Sequence, residues 1–340
     1  CDLRPGHVHL AARRGDYAGF AREVEFSNRV LGRDAAVLVP ASDVPALVRV
    51  EGYRGAILTP GGGHLHPLKY AHGLARAGLA AGVRMFEGSR VLAVEGGPAG
   101  VLLRTVGGTV RARHAIVACD AGMAEVDREA GRHTMPVGNY VIATEPLGEA
   151  TARRLIPSGA AVSDSRFVLN YFRCSADHRL LFAGGEKYTP SPPADIAAFV
   201  RPHMLKLFPD LAGARIDYGW GGLVGITVNR LPHFGRHGNV LYAHGFSGLG
   251  VLLTTLAGEV LADAVAGRCD RCQRHRRHDR ARTGPLCRCQ SALGGAGARG
   301  GAALASRRAV PLDARLGHAL CAVRRSGRRR AAVGRGWPRL

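Results

Sequence analysis

With 340 residues, a net charge of +21 and an isoelectric point near 10.8, the chain would ordinarily point to nucleic acid or an anionic surface. The charge is unevenly placed, however: residues 268–340 hold nineteen arginines against three aspartates, with no lysine or glutamate, a net +16. The body before them is only mildly basic, which excludes a basic nucleic-acid-binding globule there, and the chain is long enough for one or two sizeable cores.

In chain order, residues 16–31 are predicted to form an amphipathic helix, with Phe20, Val24 and Phe26 interleaved among charges. A short helix follows over 43–48, with Ser42 or Asp43 as its cap. Residues 55–60 form a strand, and Gly61, Gly62 and Gly63 a turn into a helix over about 67–81, with Pro67 in its first turn. Two roles stand open for His64 and His66: residues of a helix start, or groups facing a substrate. Strands are predicted at 83–87 and 90–95, then a hairpin of 101–105 with 110–113. Residues 115–118 form a buried strand that ends in a small-residue turn at Cys119 to Gly122. A Cys beside Ile116 and Val117 is expected to serve packing rather than reactivity.

From Pro136 longer β segments take over, at 137–145, 167–173, 179–185 and 214–220, interrupted by one helix over 195–208. They describe an antiparallel sheet covered by helices. Val240 to Ala243 is a short apolar run without helical period, read as a buried strand. Gly245, Gly248 and Gly250 follow, and then apolar residues at 252, 256, 260 and 261 in helical spacing, with Gly267 as the stop. Strand, glycine turn and helix start together mark a place where backbone amides approach a ligand closely.

The segment Trp220-x-Gly222, Thr227-x-x-Arg230-x-Pro232-x-x-Gly235, then Gly245-x-Ser247-Gly248-x-Gly250, resembles the flavin-contacting end of the FAD-dependent amine and amino-acid oxidase family, the D-amino-acid oxidase, sarcosine oxidase and glycine oxidase group. Within it the likeness is greatest to the branch acting on polyamine-derived amines. Further matches run through 139–147, 171–173, 179–185 and 195–205. The resemblance implies a mixed α/β fold: an incomplete Rossmann-like FAD-binding domain plus an antiparallel-sheet substrate domain. It divides the chain at 1–135 (partial FAD-binding domain with part of the substrate domain), 136–220 (substrate domain), 221–267 (the end of the FAD-binding domain) and 268–340 (tail). It also implies non-covalent FAD, a small-molecule amine as substrate and dioxygen as acceptor.

The implied cofactor contacts are Val91, Cys119, Gly122, Gly245, Phe246, Ser247, Gly248, Leu249, Gly250 and Val251, with the amides of Ser247 to Val251 favouring charge on the reduced flavin. Asp120 departs from the small residue usual in its turn, which puts that contact in question. Tyr171, Arg173, Val224 and His66 are the implied substrate contacts. Amino-acid oxidases of the group carry an arginine where Val224 stands, a planar fork for the substrate carboxylate. Valine there implies an amine end instead.

No G-x-G-x-x-G follows an apolar strand anywhere, although the family opens with that pyrophosphate-binding unit. The chain begins at Cys1 in what reads as mid-domain sequence, so about a hundred preceding residues of a parent protein are expected. Such a piece is expected to bind FAD poorly, and a catalytically silent relative stays open as an alternative. Residues 268–340, lacking Ile, Phe, Tyr, Met, Asn, Lys and Glu, cannot offset their ordering entropy and are expected to be disordered. The abrupt change suggests an out-of-frame end rather than a nucleic-acid arm. Cys269, Cys272, Cys287 and Cys289 lack the spacing and apolar support of a zinc knuckle. The apolar stretch near 240–265 is broken by His244, Glu259 and Asp263, so neither membrane nor nucleic acid is expected as a partner, and the location is expected to be cytoplasmic.

Overall fold

A computed structural model describes residues 1–32, 35–189 and 191–268. The expectations for the arginine-rich end and its cysteines lie outside those residues.

The first part of the chain runs β1 (Arg4–Leu10), α1 (Arg14–Leu31), β2 (Val37–Pro40), α2 (Val44–Leu47), β3 (Gly55–His64) and α3 (Pro67–Ala80). Short strands follow, β4 (Val91–Gly97), β5 (Gly100–Thr105), β6 (Gly108–Ala112) and β7 (Ala115–Val117), then a 3-10 turn (Asp120–Glu125) and α4 (Arg128–Gly131). The second half holds β8 (Thr134–Thr144), α5 (Glu149–Leu155), β9 (Ala161–Asp164), β10 (Tyr171–Cys174), β11 (Leu180–Lys187) and α6 (Ile196–Leu207). After a second 3-10 turn (Pro209–Leu211) come β12 (Ile216–Thr227), β13 (His233–His237), β14 (Val240–His244) and α7 (Gly250–Val265).

Eight strands make one sheet in the order β12-β8-β11-β10-β9-β1-β3-β2, so strands from both ends of the body meet in it. Its pairs are antiparallel except β1 with β9. Register gives the two faces. Val8, Val162, Phe172, Phe182 and Ile142 stand side by side across five strands, all buried. Val200 and Met204 of α6 pack on that row in the main core. The row continues to Gly219 of β12, where an added Cβ would lie 3.3 Å from Ile196. At Gly221 it would lie 2.3 Å from the Tyr140 ring. The glycines after Tyr218 are therefore what lets helix and tyrosine press onto an edge strand. One residue over, with side chains on the opposite face, the row is His9, Ser163, Tyr171, Ala183, Val141 and Trp220. That face carries polar groups and the half-exposed Trp220.

Two three-stranded sheets complete the body, β13-β14-β7 and β4-β5-β6. In the first, β14 pairs parallel with β7, and Leu241, Ala243, Leu253, Ala257 and Leu261 pack it against α7. The mixed α/β class agrees with the sequence.

Several local expectations need correction. No strand forms at 83–87, where Val83, Met85 and Phe86 are exposed. Gly61, Gly62 and Gly63 are not a turn but continue β3 to His64, pairing with the start of β1. Asp43 takes the cap position of α2 without making a side-chain cap bond. Cys119 is exposed by residue surface, not packed in a core, and partial desolvation of its thiol raises the pKa.

Candidate active site

Thr227, at the end of β12, fixes the glycine turn: its N–H donates to Ser247 Oγ at 3.2 Å, while Ser247 N–H donates to the Gly225 carbonyl at 2.9 Å. Val224, the next residue along, is half-buried on the polar face of the large sheet, because it pairs with Val137 two residues from Asn139. The turn is therefore bonded to β12 at Gly225 and Thr227, beside Val224 in the chain. Ser247 sits at φ 52° and Gly248 at φ 91°, backbone that glycine adopts without cost and other residues rarely do. A Cβ built on Gly248 meets nothing within 4 Å. Open space beside the turn, at the start of a helix without a side-chain cap, suits a planar ring laid against backbone.

Asp120 departs from the family pattern for a structural reason. Its carboxylate accepts from Gly245 N at 2.8 Å, Phe246 N at 3.3 Å and Gly225 N at 3.1 Å. It thus ties the first 3-10 turn to both β12 and the glycine turn, and holds an unusual φ of 40° to do so. The amides of Gly245 and Phe246 are consequently taken, and those of Ser247 and Leu249 are spent on Gly225 and Phe246 carbonyls. The expectation that all amides of Ser247 to Val251 face a ligand is corrected: Gly248, Gly250 and Val251 remain as the donors without an acceptor among the described residues. Sequence reasoning flagged Asp120 as an anomaly but missed its role, which rests on contacts more than a hundred residues away.

A histidine cluster lies under the same turn. His244 is fully buried, with Nδ1 2.7 Å from Thr134 Oγ1 and Nε2 3.0 Å from His233 Nδ1. The His133 ring lies 4.5 Å from that of His233, tilted by 59°. Burial drives the His233 pKa down to about 4, helped by the neighbouring His244, His133 and His237. Burial also lowers His244, against the opposing pull of Asp120. Both imidazoles are neutral near pH 7. No group of His, Cys, Asp or Glu among the described residues forms a metal site.

The remaining expected residues divide. Tyr171 and Arg173 point to the same sheet face as Val224, and the Tyr171 hydroxyl donates to Asn139 Oδ1. Burial pushes the Tyr171 pKa up to about 12, with Glu186 adding to it. Arg173 lies three strands and six residues from Val224 by register, about 20–25 Å in a flat sheet. His66 is the N-cap of α3, its Nδ1 accepting from Lys69 N at 3.4 Å, while His64 contacts Arg173. Val91 opens β4 beside Arg90, whose guanidinium reaches Glu125 of the 3-10 turn at 3.0 Å. That ties the start of β4 to the 3-10 turn after Cys119, in which the Gly122 N–H donates to the Cys119 carbonyl. Finally, the Tyr70 hydroxyl in the first turn of α3 lies 2.6 Å from Thr255 Oγ1 of α7, so the two helices touch there.

The site thus combines a polar sheet face with a glycine turn and helix start bonded to its edge strand β12. The model of the FAD dependent oxidoreductase family matches residues 1–264, and the chain belongs to that family. Gamma-glutamylputrescine oxidoreductase of Escherichia coli (strain K12) is 39% identical over 273 residues, covering 80% of this chain and 64% of that protein. Probable oxidoreductase OrdL of Haemophilus influenzae is 35% identical over 272 residues, 78% of this chain and 62% of its own. The chain thus spans less than two thirds of the length of these relatives. Among solved structures, glycine oxidase from Geobacillus kaustophilus superposes with a TM-score of 0.68 at 23% identity, covering 78% of this chain and 72% of that one. That likeness concerns the fold. No helix among the described residues is long and apolar enough to cross a membrane.

Proposed function

We propose that the chain forms the substrate-facing part of an FAD-dependent oxidoreductase that oxidises a C–N bond of an amine similar to gamma-glutamylputrescine, with dioxygen as acceptor and peroxide released. The observation that carries this reading is that the Gly225 carbonyl, next to Val224 of the open face, accepts from the Ser247 amide and so ties the turn at residues 245–251 to β12 beside Val224. FAD, held non-covalently, supplies the hydride acceptor. The chain's own residues do the rest. The free amides of Gly248, Gly250 and Val251 present partial positive charge from the start of α7. Asp120 and Ser247 hold that turn in shape from behind. Tyr171, its phenol kept protonated by burial, offers a polar contact on the floor, and Asn139 fixes its ring. Val224 presents an apolar wall where the reacting carbon would rest, so a carboxylate on that carbon has no cation there. No acid–base triad is needed, because positioning a neutral amine against the acceptor is the main task.

The test is to incubate the purified protein with FAD in the large excess that weak binding requires, and then add gamma-glutamylputrescine without oxygen. Bleaching of the visible flavin band, followed by peroxide on admitting oxygen, is the expected result. A flavin-loaded protein that no alkyl amine bleaches contradicts the proposal.

A further inference from the structure

On the open face, Arg173 is a guanidinium without a carboxylate. Its Nη1 donates to His64 Nδ1 at 3.4 Å and its Nη2 to the Leu65 carbonyl at 3.2 Å. His64 in turn has Nε2 at 3.0 Å from the Gly159 carbonyl, an acceptor, so the proton sits on Nε2 and Nδ1 receives the arginine. Both partners of Arg173 are neutral. Among the described residues no acid lies within ion-pair distance of it; Asp2, the nearest in effect, is paired with Lys69 at 2.8 Å. Arg4 pairs with His64 across β1 and β3 and adds a second positive charge. Burial disfavours the charge on Arg173, as it does a proton on His64. Half-buried positive charge fixed by neutral acceptors is costly unless an anion completes it.

We propose that Arg173, with Arg4 beside it and His64 fixing its orientation, binds a carboxylate carried by the substrate at the end remote from its reacting amine. This rests on the amine-oxidising reading above. The remaining edge of one guanidinium matches the two oxygens of a carboxylate. The placement also resolves the substrate. Arg173 lies too far from Val224 to replace the arginine missing there, so it does not hold a carboxylate on the reacting carbon. Instead it selects a long, extended molecule, with the amine at the glycine turn and the acid at the far end of the chain.

The test uses the whole chain and two probes, glutarate and its neutral diamide, in calorimetric titrations that need no flavin. Glutarate is expected to bind saturably and the diamide not to bind. Arg173→Gln is expected to weaken glutarate about tenfold or more, and Arg173→Lys to restore part of that. Should Arg173→Gln fail to fold, Arg4→Gln on the exposed strand start gives the same reading with a smaller effect. Equal binding of acid and diamide, or glutarate affinity unchanged in a folded Arg173→Gln, overturns the proposal. A second arm compares alkyl amines with and without a distal carboxylate in the flavin-loaded protein. Arg173→Gln should raise KM for the acid about tenfold with kcat little changed. Oxidation of both amines with equal kcat/KM removes the subsite and leaves the proposed function standing. Glutarate binding without oxidation of any amine does the reverse.

Discussion

The two faces of the eight-stranded sheet are built from alternate residues of the same strands, yet one is a core and the other a work surface. Phe172 and Phe182 stack at 5.6 Å on the covered face, with Phe208 edge-on to Phe172 at 5.1 Å. Their neighbours Tyr171 and Arg173, one residue away in β10, look the other way toward Asn139 and His64. The difference teaches where each kind of substitution is felt. On the covered face side chains are held by packing, and loss of volume costs stability. On the open face they are held by one or two polar contacts, and changes register in ligand handling.

The largest expected effect lies on the covered side. Phe182→Ala should lose about 3–5 kcal/mol, the usual result of emptying an aromatic site in a closed core, read as a lower denaturation midpoint. Val224→Ala on the open face should move that midpoint far less; equal losses would erase the contrast between the faces. Asp120→Ala comes next. It leaves the Gly225, Gly245 and Phe246 amides without their acceptor, and about 3 kcal/mol should go, with charged hydrogen bonds near the upper end of ordinary values. Thermal unfolding measures this, and an unchanged Tm would show that the three contacts are not made.

A smaller effect depends on pH. His233 has a folded pKa depressed to about 4 against 6.5 for the free side chain. The unfolded chain therefore takes up its proton first as pH falls, so stability is complete above about 6.5 and declines between 6.5 and 4. After allowance for partial exposure, about 2 kcal/mol is expected over that window. His233→Gln should flatten the acid limb of a Tm-against-pH curve; an unaltered limb assigns the acid loss elsewhere. The smallest change in stability is Gly248→Val, about 1–2 kcal/mol for a β-branched residue at positive φ. Its flavin affinity should drop more than its Tm suggests, because the new side chain fills the open space beside the turn. Unchanged affinity in a flavin titration would place the ring elsewhere.

Much of this contrast was legible in the sequence. The helical period of α1, the helical segment at 195–208, the glycine turn and the family motifs carried the class and named the candidate site residues. Strands β1, β2 and β9 were not anticipated: they are short, and β1 with β9 pairs in parallel between segments more than 150 residues apart, a pairing that leaves no local pattern. The segment 83–87 erred the other way, since β propensity without a neighbouring strand makes no sheet. His66 was legible only as a choice between cap and ligand, and its Nδ1 contact with Lys69 makes it a cap. The Asp120 clamp and the neutral surroundings of Arg173 depend on distant chain segments and become visible only in three dimensions.

Substrate choice by the flavin-loaded protein tests the role of Val224 most directly. Peroxide release should be measured side by side on gamma-glutamylputrescine, glycine and D-alanine. A carboxylate buried against Val224 without a cation should cost about 3–5 kcal/mol, so kcat/KM should favour the amine by roughly a hundredfold to several thousandfold. Glycine or D-alanine matching the amine in kcat/KM would contradict the assignment of Val224 and the open face to an amine end.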